Sequence, residues 1–224
     1  MTFFCYELNI VYSVDLTLLS IAIIFPLVFT IRGSFRRREK ALEHLSEFRS
    51  TVKTVMYFFM INPQLDEENK KHASAILLDI NSKVLDHLSS HNNSLKVVDE
   101  ITNQIYNFVL SHNEQIPRQI RDRIFRFMKD MHESIENLHA IHIHRTPISL
   151  KAYCKVFIYI FPLIYAPTII SNLGEFAPEW ITYFVVVLTE FILISLYNIQ
   201  RQLEYPFDNV GMDDINLDNF RIER

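Results

Sequence analysis

Between Leu8 and Ile31 the chain carries a single ionisable side chain, Asp15, and it then runs into Arg32, Arg36, Arg37, Arg38 and Lys40. A helix needs roughly 20 apolar residues to cross a hydrocarbon core of about 30 Å, and this stretch supplies them. Two later segments repeat the pattern. Val156 to Ser171 (VFIYIFPLIYAPTIIS) is aromatic and contains Pro162 and Pro167, with Lys155 placed to snorkel at one end. Trp180 to Gln200 starts at the only tryptophan, a residue that anchors spans at headgroup level. The sequence therefore predicts three membrane spans, at about 8–31, 156–171 and 180–200.

The loop charges orient these spans. Bases follow the first span, and Arg145, Lys151 and Lys155 precede the second, whereas the linker SNLGEFAPEW holds Glu175 and Glu179 and no base. By the positive-inside rule the N-terminus lies outside, and residues 32–155 and the tail 201–224 are cytoplasmic. Cys5 and Cys154 then fall at opposite faces of the bilayer and cannot pair. With no CxxC spacing, they read as small apolar side chains. The N-terminus lacks the basic region and small-residue site of a removable signal peptide.

The segment between the first two spans reads as helix throughout. Leu42, Leu45, Phe48, Val52, Val55 and Phe59 recur at helical spacing, so the first membrane helix is expected to continue to Asn62-Pro63. Further helices are expected over Leu65–His91, Ser94–Ser111 and Arg118–Ile143, the last with Ile120, Ile124, Phe127, Met131, Ile135 and Leu138 on one stripe. No strand-like alternation of useful length occurs. The expected class is all-α, with membrane helices continuous with a cytoplasmic helical bundle, and 1–224 forming one domain.

Several activities are excluded. The net charge of -4 gives no basis for nucleic-acid binding. Three glycines and no GxGxxG or GxxxxGK[ST] pattern leave no phosphate cradle. No nucleophile–base constellation suggests an enzyme. His139, His142 and His144 invite a metal reading, but the third sits at i+5, off the face of the first two, and no carboxylate or Cys stands at a companion spacing. They read as a polar helix end. Glu190 lies well inside the third span, where an ionisable group faces a water-filled path or bonds to a neighbouring helix. Asp15 falls roughly 120° from Ile21 at 100° per residue, at an outer mouth or in a helix contact.

Ile21, Phe25 and Phe29 stand at i, i+4 and i+8 and form one slanted stripe on a helix. In an ordinary bundle such a stripe is packing. If several copies surround an axis, it becomes a hydrophobic constriction that gates by dewetting. Pro26, inside the stripe, deprives the Ala22 carbonyl of its usual donor and tends to kink the helix.

Three stretches taken together resemble the bestrophin family and its bacterial and algal relatives: IAIIFPLVFTIRGSFRRREKALEHL, HRTPISLKAYCKVFIYIFPLIYAP and NIQRQLEYPFDNVGMDDINLDNF. The resemblance covers roughly residues 18–60 and 145–220. It implies a homopentameric ion channel in the bilayer that passes small ions, needs no catalysis, and has a pore neck built from Ile21, Phe25 and Phe29, with Arg37 eight residues further on. The family carries a further membrane helix before the pore helix, whereas about 20 residues precede Ile21 here. Asp208 replaces the glycine of the family's Pro-Phe-Gly. The acidic run that binds calcium in animal members is broken by Val210-Gly211-Met212, so no cofactor is expected, and Asp213, Asp214 and Asp218 remain as the calcium candidates. The resemblance implies anion conduction. An acidic outer mouth of Asp15, Glu175 and Glu179 argues for cations instead, and a non-conducting membrane scaffold is the alternative of another class.

Overall fold

The computed structural model describes residues 2–90, 92–174 and 178–223. They form seven α-helices: α1 (Thr2–Glu7), α2 (Leu16–Ile61), α3 (Glu67–Ser89), α4 (Lys96–Ser111), α5 (Arg118–Ile143), α6 (Ile148–Leu173) and α7 (Glu179–Leu203). A 3-10 turn follows at Leu217–Phe220, and there is no strand among the described residues. The helical bounds in the polar region lie close to those expected, α5 among them.

Three differences have local causes. The first apolar helix begins at Leu16 rather than near residue 8, because the Asp15 carboxylate accepts the Thr17 N–H at 2.9 Å and caps it. Ahead of it, Asn9 adopts φ 52°, which interrupts any helix from α1. The helix of the second span starts at Ile148, eight residues before the expected apolar boundary, since Pro147 sets an extended entry (φ -51°, ψ 130°) and nothing breaks the turn that follows. The helix α2 runs through Pro26 without ending.

The chain divides into two compact units. The first joins Met1–Arg36 to Thr146–Glu204. Ile23 and Leu27 of α2 pack with Cys154, Ile158 and Phe161 of α6 and Leu193 of α7, and Cys5 of α1 packs with Ala166 and Val186. Both cysteines are free and buried, in separate clusters. Tyr12 reaches Leu163 while Tyr153 reaches Ala22, so α2 and α6 run antiparallel. Gly174, at φ 72°, closes α6 in a conformation that L side chains rarely adopt. The helix α7 returns antiparallel, so α2 and α7 both start at the end where α6 finishes.

The second unit joins Arg37–Arg145 to Tyr205–Arg224. Its core takes Leu45, Phe48, Val52 and Val55 from α2, Leu77, Ile80 and Leu88 from α3, Ile105 and Val109 from α4, and Ile124, Met131 and Leu138 from α5. Asp66 caps α3 by accepting the Asn69 N–H at 2.9 Å. The tail folds back onto this core: Phe207, Ile215 and Leu217 are buried in it, and the buried Asn81 amide bonds both the Phe220 carbonyl and the Ile222 N–H.

Candidate functional site

On α2 the buried face of the first unit is Ile23, Leu27, Thr30 and Ser34. At 100° per residue, the stripe of Ile21, Phe25 and Phe29 points about 170° away from that face. Accordingly Ile21 is 46% exposed, Phe25 56% and Phe29 60%, while Ile23 and Leu27 are 2% and 1%. The Phe25 and Phe29 rings contact each other at 6.1 Å between centroids. The stripe is thus about half exposed and lies off the buried face of the first unit. Exposure alone does not single it out, because Phe184, Val187 and Phe191 on α7 are as open. Such apolar faces suit lipid as well as a second copy.

The two tyrosine contacts have a shared logic. A proline at position i has no N–H for the carbonyl at i−4. Pro26 therefore leaves Ala22, and Pro167 leaves Leu163, without that donor. The Tyr153 hydroxyl donates to the Ala22 carbonyl at 3.2 Å, and the Tyr12 hydroxyl donates to the Leu163 carbonyl at 3.2 Å. Neighbouring side chains restoring a broken backbone bond is what makes helix breakers tolerable in a membrane span.

Asp15 is exposed at the start of α2, and Glu179 is exposed at the start of α7, hence at the same end of the first unit. Glu175 lies outside the described residues. Glu179 lines an open cavity of about 560 Å³ with Cys5, Tyr6 and Thr182. Glu190 is half-buried, with one carboxylate oxygen enclosed and without a hydrogen-bond partner. Arg37 is half-buried as well.

At the other end of α6 and α7 stands a cluster that the sequence reading missed. The Glu204 side chain is fully enclosed and accepts from Lys151 Nζ at 3.0 and 3.2 Å, from the Thr146 N–H at 3.1 Å and from Gln200 Nε2 at 3.3 Å.

The three tail carboxylate residues each have a different neighbour. Asp213 offers its backbone carbonyl to Arg38 Nε at 2.7 Å, Asp214 accepts the Gly211 N–H at 2.8 Å, and Asp218 pairs with Arg221 at 3.5 Å. Burial and a hydrogen bond to Asp208 raise the Asp214 pKa above the usual carboxylate range. Among the described residues no three His, Cys, Asp or Glu side chains are arranged to hold a metal ion.

The histidines separate as well. His144 is exposed and its N–H closes α5 on the Ala140 carbonyl. His139 and His142 instead turn to the buried His87 of α3: His87 Nε2 and His139 Nδ1 share a hydrogen bond at 3.0 Å, and the His142 ring stands 5.4 Å from that of His87. Burial first, then the two neighbouring imidazoles, lower the His87 pKa to about 4.

Leu16–Ile61, Arg118–Leu173 and Glu179–Leu203 each contain a window long and apolar enough to cross a membrane. With the all-helical fold, this defines an integral membrane protein of three spans. Its fold is the bestrophin fold. A bacterial bestrophin homolog from Klebsiella pneumoniae matches with a TM-score of 0.82 at 14% identity, over 98% of this chain and 88% of that one. Two point variants of that homolog match at TM-score 0.81 and 15% identity, one over 97% and 87% and the other over 98% and 88% of the respective chains. No family model matches the sequence, and no curated protein matches it either.

Proposed function

We propose that this protein is a bestrophin-like ion channel, a homopentamer in which Ile21, Phe25 and Phe29 of each copy form a hydrophobic neck around a central axis. The observation that carries this reading is the orientation of the stripe, which lies opposite the buried face of α2 in the first unit while the fold is that of a bestrophin. Conduction is passive. A narrow dry ring raises the barrier to ions, and wetting or small ring movements lower it. In the bilayer the N-terminus lies outside, and the polar helical region and the tail are cytoplasmic. Asp213, Asp214 and Asp218 stay without calcium, and no cofactor takes part.

The permeant ions are small anions such as chloride, drawn to the bases that follow the stripe. A cation-conducting reading is favoured by one observation: Asp15 and Glu179 sit exposed at the same end of the first unit, where carboxylates concentrate cations.

The test is subunit count in detergent followed by planar-bilayer recording. A homopentamer whose conductance rises on Phe25→Ala and Phe29→Ala is expected. A stable monomer, or a hetero-complex without a central axis, is the result for a scaffold and overturns the channel. Reversal potentials under a salt gradient decide the sign of the ion.

A further inference from the structure

Pro26 sits inside the stripe, directly after Phe25, and the carbonyl it leaves without a donor belongs to Ala22, directly after Ile21. The three residues between Ala22 and Pro26 belong to the turn that sets the projection of Phe25 relative to Ile21. In an uninterrupted helix that turn is closed by its own N–H. Here it is closed from outside, by the Tyr153 hydroxyl of α6. The Tyr153 ring is itself held against Phe157, 4.4 Å between centroids. A side-chain bond from another helix can open without unwinding α2, which a backbone bond cannot do.

We propose that Tyr153 is a positioning residue for the neck: its bond to Ala22 fixes the Ile21–Phe25 turn, and release of that bond shifts the Phe25 and Phe29 rings and gates the pore. This rests on the reading of the stripe as a neck. In a ring of identical copies the same small shift occurs at every subunit, and a dewetting constriction responds steeply to its radius. Tyr12 supplies an internal comparison. It closes the gap left by Pro167 in the same chemical way, but on α6 and away from the stripe.

The experiment is a double-mutant cycle on the full-length protein. Tyr153→Phe removes the hydroxyl and keeps the ring. Pro26→Ala returns an N–H to α2, which then closes on Ala22 unaided. Tyr153→Phe is expected to raise open probability about two- to tenfold, the factor that one net hydrogen bond contributes to a two-state equilibrium, and to change nothing in the Pro26→Ala background. Tyr12→Phe is expected to lower the melting temperature and leave open probability unchanged. Equal effects of Tyr153→Phe in both backgrounds, no effect in the parent protein, or a matching gating change from Tyr12→Phe would each overturn the proposal. A parent protein silent in the bilayer overturns the channel reading and the gating role with it. The melting-temperature arm of the same cycle then still decides the bond: coupling between Pro26 and Tyr153 supports it, and additivity removes it.

Discussion

Lys151 of α6 donates to both carboxylate oxygens of Glu204, a residue whose side chain has no exposed surface and which immediately follows α7. The Thr146 N–H and the Gln200 amide fill the remaining acceptor directions, so the enclosed charge is fully satisfied. Enclosing a charge is costly, and removing one partner leaves the other uncompensated.

Glu204→Gln is therefore expected to destabilise the protein by about 3 kcal/mol, measured as loss of thermal stability in detergent. The double variant Lys151→Met with Glu204→Gln should recover part of the loss, because no unpaired charge remains. A double variant that melts lower than either single variant would contradict this.

The two faces of α2 predict opposite sensitivities. Leu27 is buried in the first unit, and Leu27→Ala should cost about 2 kcal/mol or more through the cavity it leaves. Phe25 is 56% exposed and its ring meets that of Phe29, so Phe25→Ala should leave the melting temperature nearly unchanged while altering conduction. A large loss of stability from Phe25→Ala would mean that the ring packs against another surface rather than lining an opening.

His87 predicts a pH dependence. Unfolded, its imidazole takes up a proton near pH 6.5; folded, it resists until about pH 4. Throughout that window the unfolded state binds more protons, so stability falls as pH drops from 6.5 towards 4 and is unaffected above it. The loss should amount to roughly 1–3 kcal/mol. His87→Gln should flatten the slope of melting temperature against pH in that range. An unchanged slope would place the acid sensitivity elsewhere.

Asn81 holds the tail. Its buried amide accepts the Ile222 N–H at 2.9 Å and donates to the Phe220 carbonyl at 3.2 Å. Asn81→Leu removes both bonds at half-buried backbone groups, a cost of about 0.5–1.5 kcal/mol for each bond. The expected readout is faster proteolysis after residue 204 and loss of amide-exchange protection at Ile222. Unaltered protection would show that Phe207, Ile215 and Leu217 anchor the tail by packing alone.

Local signals in the sequence carried a long way. The Asn62-Pro63 stop and the apolar stripe of α5 are each written within a few residues, and α2 ends and α5 forms where those signals stand. The same holds for the stripe of Ile21, Phe25 and Phe29, since its angular position follows from helical geometry alone. The start of α2 was misplaced because hydropathy counts apolar residues and does not register that Asp15 caps Thr17.

What stayed hidden was pairing across long separations. His87 meets His139 over 52 residues, Lys151 meets Glu204 over 53, and Tyr153 meets Ala22 over 131. Nothing at either end names the other. One half of the last pair was nonetheless readable: a proline in a span announces a carbonyl in need of a donor, and only its donor was unknown.

The two proline–tyrosine closures carry an evolutionary consequence. Pro26 and Tyr153 lie on different helices, yet each gives the other its purpose, and the same is true of Pro167 and Tyr12. Among descendants of this sequence, an amide-bearing residue at 26 relaxes selection on the phenol at 153, whereas a lost phenol beside a retained proline is penalised. The two pairs should drift as linked characters, with the proline replaced before the tyrosine.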